Sequence, residues 1–144
     1  MQIEKECIQH GNISVYWHSF FVACMSLLIA KTFRMKVDER SLVRGALLHD
    51  YFLYDWHVKD DNHFLHGFRH AKRSLKNAER DFELNDIEKD IILKHMFPLN
   101  ITTPPLYKES TIVCIADKIC ATLEIVSVLA LLKAFTKGHY FFST

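Results

Sequence analysis

Five side chains able to hold a cation or carry a proton sit where their neighbours are apolar. His18 lies inside VYWHSFFV. His49 and Asp50 follow Ala46-Leu47-Leu48 and precede Tyr51-Phe52. Asp117 comes after Ile112-Val113-Cys114-Ile115-Ala116 and before Ile119. His95 falls four residues after Ile91, itself four after Ile87, and so shares their helical stripe. An ionised carboxylate in such surroundings is costly unless something pairs with it, and two of them would also repel one another. No Lys or Arg is placed to neutralise both, since Lys118, beside Asp117, is expected on another part of the helix surface. Any one of these residues alone reads more simply as a hydrogen-bonded core or surface group. Together in one small chain they point to a bound metal, because neutral imidazole and carboxylate are the ligands that suit Zn, Fe or Mn.

The elements that must position these residues read as five or six helices, with no convincing strand. Asn12 is placed to cap a helix running to about Met35, and Asp38 the next, running to about Phe52. The polar stretch DWHVKDDN, Asp55 to Asn62, reads as a loop. Phe68, Ala71, Leu75, Ala78 and Phe82 recur at helical spacing. Asn85 followed by Glu88 is a capping-box pattern, and that helix runs until Pro98 stops it. Pro104 and Pro105 hold an extended loop, and a last long helix starts near Tyr107 and ends before Gly138.

At 144 residues, 49% hydrophobic and 24% charged, the chain has the usage of one globular domain, taken as residues 1–144. Four glycines and three prolines are too few for an all-β fold. A net charge of +1, from 18 basic and 17 acidic residues, gives no sign of the extended basic track that a long nucleic acid needs. Cys7, Cys24, Cys114 and Cys120 form no CxxC pair and read as reduced, mostly buried thiols of a cytoplasmic protein. The N-terminal MQIEKECIQHGN does not read as a signal peptide. Residues 13–30 carry no formal charge over eighteen positions, the length of a membrane span, but the buried helix of a compact α-protein looks much the same. The expectation is therefore no membrane and no nucleic acid.

The order His18, His49-Asp50, Asp117 resembles the HD-domain metal-dependent phosphohydrolases, named for their adjacent His-Asp pair. The phrases ALLHDYFLYDWH, LHGFRHAKRSLKNAERDFEL, EKDIILKHMFPL and VCIADKICATLE look like those of small stand-alone bacterial members, and the likeness covers roughly residues 14–124. It implies an all-α bundle of about five to seven helices in which His18, His49, Asp50 and Asp117 bind one ion. Two-metal members add two histidines between the pair and the last Asp. His66, in LHG, and His95, in KHM, occupy those places, with Asp50 as the bridge. The pattern is closer to the HD hydrolases that split diadenosine tetraphosphate symmetrically than to the one-metal nucleotidases. His66 is preferred to His70 on the LHG match, although in one regular helix His70 would flank the apolar stripe more closely. Two departures bear on substrate. Tyr51, Phe52 and Leu53 stand where many members continue the pair as Ile-Gly-Lys, and the GYP signature of cyclic-di-GMP phosphodiesterases is missing.

The chemistry so implied is hydrolysis of a phosphate ester or anhydride of a small substrate, a nucleotide first, by metal-activated water. The cofactor is a divalent metal, expected as a binuclear centre of Fe, Mn or Zn, with Mg also compatible. Asp50 and Lys118 are expected to act in catalysis. Arg69, His70 and Lys118, with Lys72 and Arg73, are candidates for holding phosphate oxygens, His70 being alternatively a group that supports a metal ligand from behind. Tyr51, Tyr54 and Trp56 could stack on a base, although packing is their plainer role. His10, His57, His63 and His139 read as surface residues. The competing reading is an HD-fold module that keeps its metal and binds or senses a nucleotide without turning it over. A homo-oligomer is compatible with either.

Overall fold

The structure, a computed structural model, describes residues 8–10, 13–51 and 66–139, with side chains over 15–51 and 70–127. Among the described residues, five helices follow a short hairpin: β1 (Ile8–His10), β2 (Ile13–Ser14), α1 (Val15–Thr32), α2 (Glu39–Leu48), α3 (His66–Asp81), α4 (Asp86–Lys94) and α5 (Lys108–His139). The bundle is the expected all-α architecture. The hairpin was not expected: β1 and β2 pair antiparallel with an irregularity between Ile8 and His10, and five strand residues are too few to make a period-2 pattern. They pack at the start of α1. The Asn12 cap, the Asp55–Asn62 loop and Cys7 lie outside the described residues.

The helix starts follow their capping residues. Asp38 caps α2: its Oδ1 accepts from the backbone N–H groups of Arg40 and Ser41 at 3.1 and 3.2 Å. Asn85 and Glu88 form the reciprocal capping box of α4. Neighbouring helices are tied through these same ends. Asn85 Nδ2 donates to Ser41 Oγ at 2.8 Å, and Arg44 pairs with the buried Glu88 at 2.8 Å. Asp90 Oδ2 accepts from Leu106 N–H and from the Ser110 hydroxyl, anchoring the start of α5 to α4. Glu109 accepts from Asp38 N–H at 2.9 Å, anchoring α5 to α2.

Helix ends differ from expectation. α1 stops at Thr32, where Arg34 takes a left-handed φ of 51° and Met35 N–H returns to Ala30 O at 2.8 Å, a Schellman-type close. α2 ends at Leu48 and α4 at Lys94, short of Phe52 and Pro98, for a reason that belongs to the site below. α5 runs through Gly138 to His139, since one glycine in a helix costs too little to stop it.

The main core joins Val22, Ala23 and Ala30 of α1 with Leu42 and Ala46 of α2, Ile91 of α4, and Ile112, Val113, Ala116 and Cys120 of α5. A second cluster, Leu48, Tyr51, Ala78 and Ile92, seats α3. By length and composition α1 could cross a membrane, but His18, Ser19 and Ser26 are on its buried face, packed into the bundle. Cys114 and Cys120 are buried free thiols, and Cys24 is exposed.

α2 and α4 pack tightly at Gly45, where an added Cβ would lie 2.5 Å from Ile91 Cδ1 and 2.9 Å from Ile91 Cβ. Gly45→Ala should therefore destabilise the fold by about 1–3 kcal/mol in chemical denaturation. An unchanged unfolding midpoint would contradict this packing.

Candidate metal centre

Every helix sends a side chain to one point: His18 from α1, His49 and Asp50 from the end of α2, His70 from α3, His95 from the end of α4, and Asp117 from α5. His18, His49, Asp50, His70 and His95 are buried, and the Asp117 side chain is 14% exposed. His49 and His95 explain why their helices stop. Each is a C-cap residue, and each Nδ1 meets the carbonyl three residues back, Ala46 O at 2.7 Å and Ile92 O at 2.8 Å. Those carbonyls are among the four that a helix end leaves without an intrahelical partner. A carbonyl can only accept, so Nδ1 carries the proton, and in the neutral ring Nε2 is left with a bare lone pair.

The bare nitrogens face inward. His49 Nε2 is buried with no hydrogen-bond partner among the described residues, 3.5 Å from Asp50 Oδ2 and 3.8 Å from Asp117 Oδ1. His95 Nε2 is 3.4 Å from Asp50 Oδ1 and accepts from His70 Nε2 at 2.7 Å, while His70 Nε2 is also 3.3 Å from the same Asp50 oxygen. His18 Nε2 is 3.1 Å from Asp117 Oδ1. Two sets of possible ligand atoms result, His18–His49–Asp117 and His49–Asp50–His95, the atoms of each set lying within 4.8 Å of one another. A lone pair aimed at two carboxylates in a buried site is repulsive unless a positive charge lies between them. This donor set fits a divalent metal of the imidazole- and carboxylate-binding kind.

The protonation states agree. Burial pushes the His49 imidazole down to about 4, so it is neutral and available at pH 7. Burial would raise the Asp50 carboxyl, but the surrounding imidazoles, His70 with its N–H toward Asp50 Oδ1 among them, outweigh it and hold Asp50 well below the usual carboxylate range. Asp117 is held low as well, burial being overcome chiefly by the hydrogen bond from His18, with the Lys118 charge beside it. His18 runs the other way: burial opposes its charge, yet hydrogen bonds to Asp117 and Glu124 raise it to about 10.

Lys118 departs from expectation. Adjacent residues on a helix do not face each other, but the flexible stem lets Nζ fold back. It donates to Asp117 Oδ2 at 3.1 Å and to His95 O at 2.7 Å, while the side chain remains 41% exposed. His70, read from sequence as a phosphate contact or a support for a metal ligand, stands against His95 and Asp50 within the cluster. His66 is the first residue of α3, one turn before His70 on the same helix face. The side chains of His66, Arg69, His10 and His139, and all of Tyr54, Trp56, His57 and His63, lie outside the described residues. Lys72 and Arg73 are exposed. Tyr51 is buried in the second core cluster, its hydroxyl donating to Asp81 at 3.2 Å. Sequence reasoning missed Glu124, buried on α5, whose two oxygens lie 2.9 and 3.1 Å from His18 Nδ1.

A family model described as HD domain matches residues 15–122, well over half of the chain. No curated protein and no solved structure matches it.

His18 is the group whose charge must change when a cation arrives. In the metal-free fold its pKa, about 10, stands above the ordinary 6.5. It therefore contributes its full stabilisation below about pH 6.5 and loses it as pH rises toward 10. A cation taking Nε2 must expel that proton. Calorimetric titration of the metal-free protein with Mn2+ near neutral pH, in buffers of different ionisation enthalpy, should show release of about one proton. Heats independent of the buffer would contradict this account of His18.

Proposed function

Because the chain belongs to the HD-domain family, whose members are generally metal-dependent hydrolases, we propose that it hydrolyses a phosphate ester or anhydride of a small substrate, with a nucleotide first among them. The observation that carries the reading is His49 Nε2, a buried lone pair directed at the carboxylates of Asp50 and Asp117 with no hydrogen-bond partner among the described residues.

His18, His49 and Asp117 would hold one ion and Asp50 and His95, with His70 or His66, a second, of Fe, Mn or Zn, with Mg compatible. Such ions supply Lewis-acid charge to phosphoryl oxygens and bring the pKa of water toward neutrality. The protein's own part is positional. Ala46 O and Ile92 O hold two imidazoles in the tautomer whose Nε2 faces the centre. Asp50, held ionised between three histidines, is placed to join the two ligand sets. The half-exposed Lys118 keeps an ammonium 3.1 Å from Asp117, where it can attract the anionic group of an incoming substrate. A near-neutral net charge of +1 supports a small phosphorylated substrate over a nucleic acid, and a soluble cytoplasmic setting without a membrane partner accords with α1 being built into the bundle.

The test is metal analysis of anaerobically purified protein, followed by a screen of nucleotides, dinucleoside polyphosphates and simple phosphomonoesters with several metals. Turnover of at least one is expected. Full metal loading with no turnover across the panel would favour a module that binds a nucleotide without hydrolysing it. Asp50→Ala should lose bound metal and at least roughly a hundredfold in rate. His70→Ala and His66→Ala should each lower metal content, and unchanged content in either variant removes that residue from the ligand set. Lys118→Ala should retain the metal while turnover falls.

A further inference from the structure

Glu124 stands seven residues after Asp117, two turns along α5, so both carboxylates occupy one face of that helix. Between them is His18 of α1. Its Nε2 lies 3.1 Å from Asp117 Oδ1, and its Nδ1 lies 2.9 and 3.1 Å from the two oxygens of Glu124. His18 is fully buried and Glu124 is 6% exposed. Neither the ligand pattern nor the capping of the bundle gives Glu124 anything to do, and a carboxylate is expensive to bury without a purpose or a partner.

We propose that Glu124 is the positioning residue of His18. It accepts the Nδ1 proton, fixes the ring against α5 and leaves Nε2 as the atom presented to a cation. His49 and His95 fix their Nδ1 with a backbone carbonyl of their own helix, at Ala46 and Ile92. His18 cannot, because it sits early in α1, where the carbonyls behind it are already in the helix or precede it. Its orienting group must come from another element, and α5 supplies one that is anionic. An anionic acceptor also makes the imidazole a stronger donor than a carbonyl does. The clamp joins the N-terminal helix to the C-terminal one across the site, so both α5 carboxylates act on the same ring.

The proposal rests on the metal-centre reading, and the test separates the two. Mn2+ affinity is measured by calorimetry for wild type, Glu124→Gln and Glu124→Ala, with melting temperatures of the metal-free forms. Glu124→Ala should bind roughly 10–100-fold more weakly. Glu124→Gln keeps the shape and an accepting oxygen without the charge, so it should recover part of that loss and fold even where Glu124→Ala does not. In the Zn2+-loaded protein labelled with 15N-histidine, a slowly exchanging proton should reside on His18 Nδ1 in wild type and in Glu124→Gln. Wild-type affinity in both variants, with lowered melting temperatures alone, would make Glu124 merely structural and overturn the proposal. Failure of wild type itself to bind Mn2+ would overturn the metal centre and this proposal together.

Discussion

The fold is organised around a charge problem. Asp50, Asp117 and Glu124 bring three carboxylates against His18, His49, His70 and His95 in the middle of the bundle. Removing such groups from water is affordable only when every one is offset. In the metal-free protein the offset comes from a charged His18 between Asp117 and Glu124, and from the Lys118 ammonium beside Asp117. Neither reaches His49 Nε2, which stays a bare lone pair beside two carboxylates. A divalent cation is the simplest group that satisfies this nitrogen and both acids at once.

The helices are tied together so as to impose that geometry. Ser41 to Asn85 and Arg44 to Glu88 hold the starts of α2 and α4 in register, while Gly45 lets their middles approach. Their C-terminal ends therefore arrive side by side, and the His49 and His95 rings stand 4.8 Å apart at 80°. Glu109 and Asp90 anchor the start of α5 to the same pair, fixing the register at which Asp117 and Glu124 enter. Each histidine that ends a helix also satisfies a carbonyl of that helix. Helix termination and ligand orientation are thus one interaction.

Much of the centre was legible because burial of a polar side chain leaves a local trace. His18, His49, Asp50 and Asp117 interrupt apolar runs, and His95 continues the Ile87–Ile91 stripe. Asp38 and the Asn85–Glu88 box were readable because a cap needs only four residues. Glu124 was not, since its partner lies 106 positions away in sequence. The available signal was its seven-residue spacing from Asp117 on a long helix, which places two acids on one face. The place of His70 beside His95 was not readable, because it depends on how α3 meets α4, a tertiary contact. The ends of α2 and α4 were misplaced because a histidine side chain, rather than a proline or glycine, closes them. Lys118 was assigned by the direction of its Cα–Cβ bond, whereas four methylenes let its charge return to Asp117.

The central claim is that His49 Nε2 is a metal ligand. A crystal of the Mn2+-loaded protein, with anomalous diffraction recorded near the manganese edge, tests it directly. The account predicts an anomalous peak within about 2.0–2.3 Å of His49 Nε2, bounded by the oxygens of Asp50 or Asp117. A fully loaded crystal with no peak near that nitrogen, or with manganese bound only elsewhere on the surface, would contradict it.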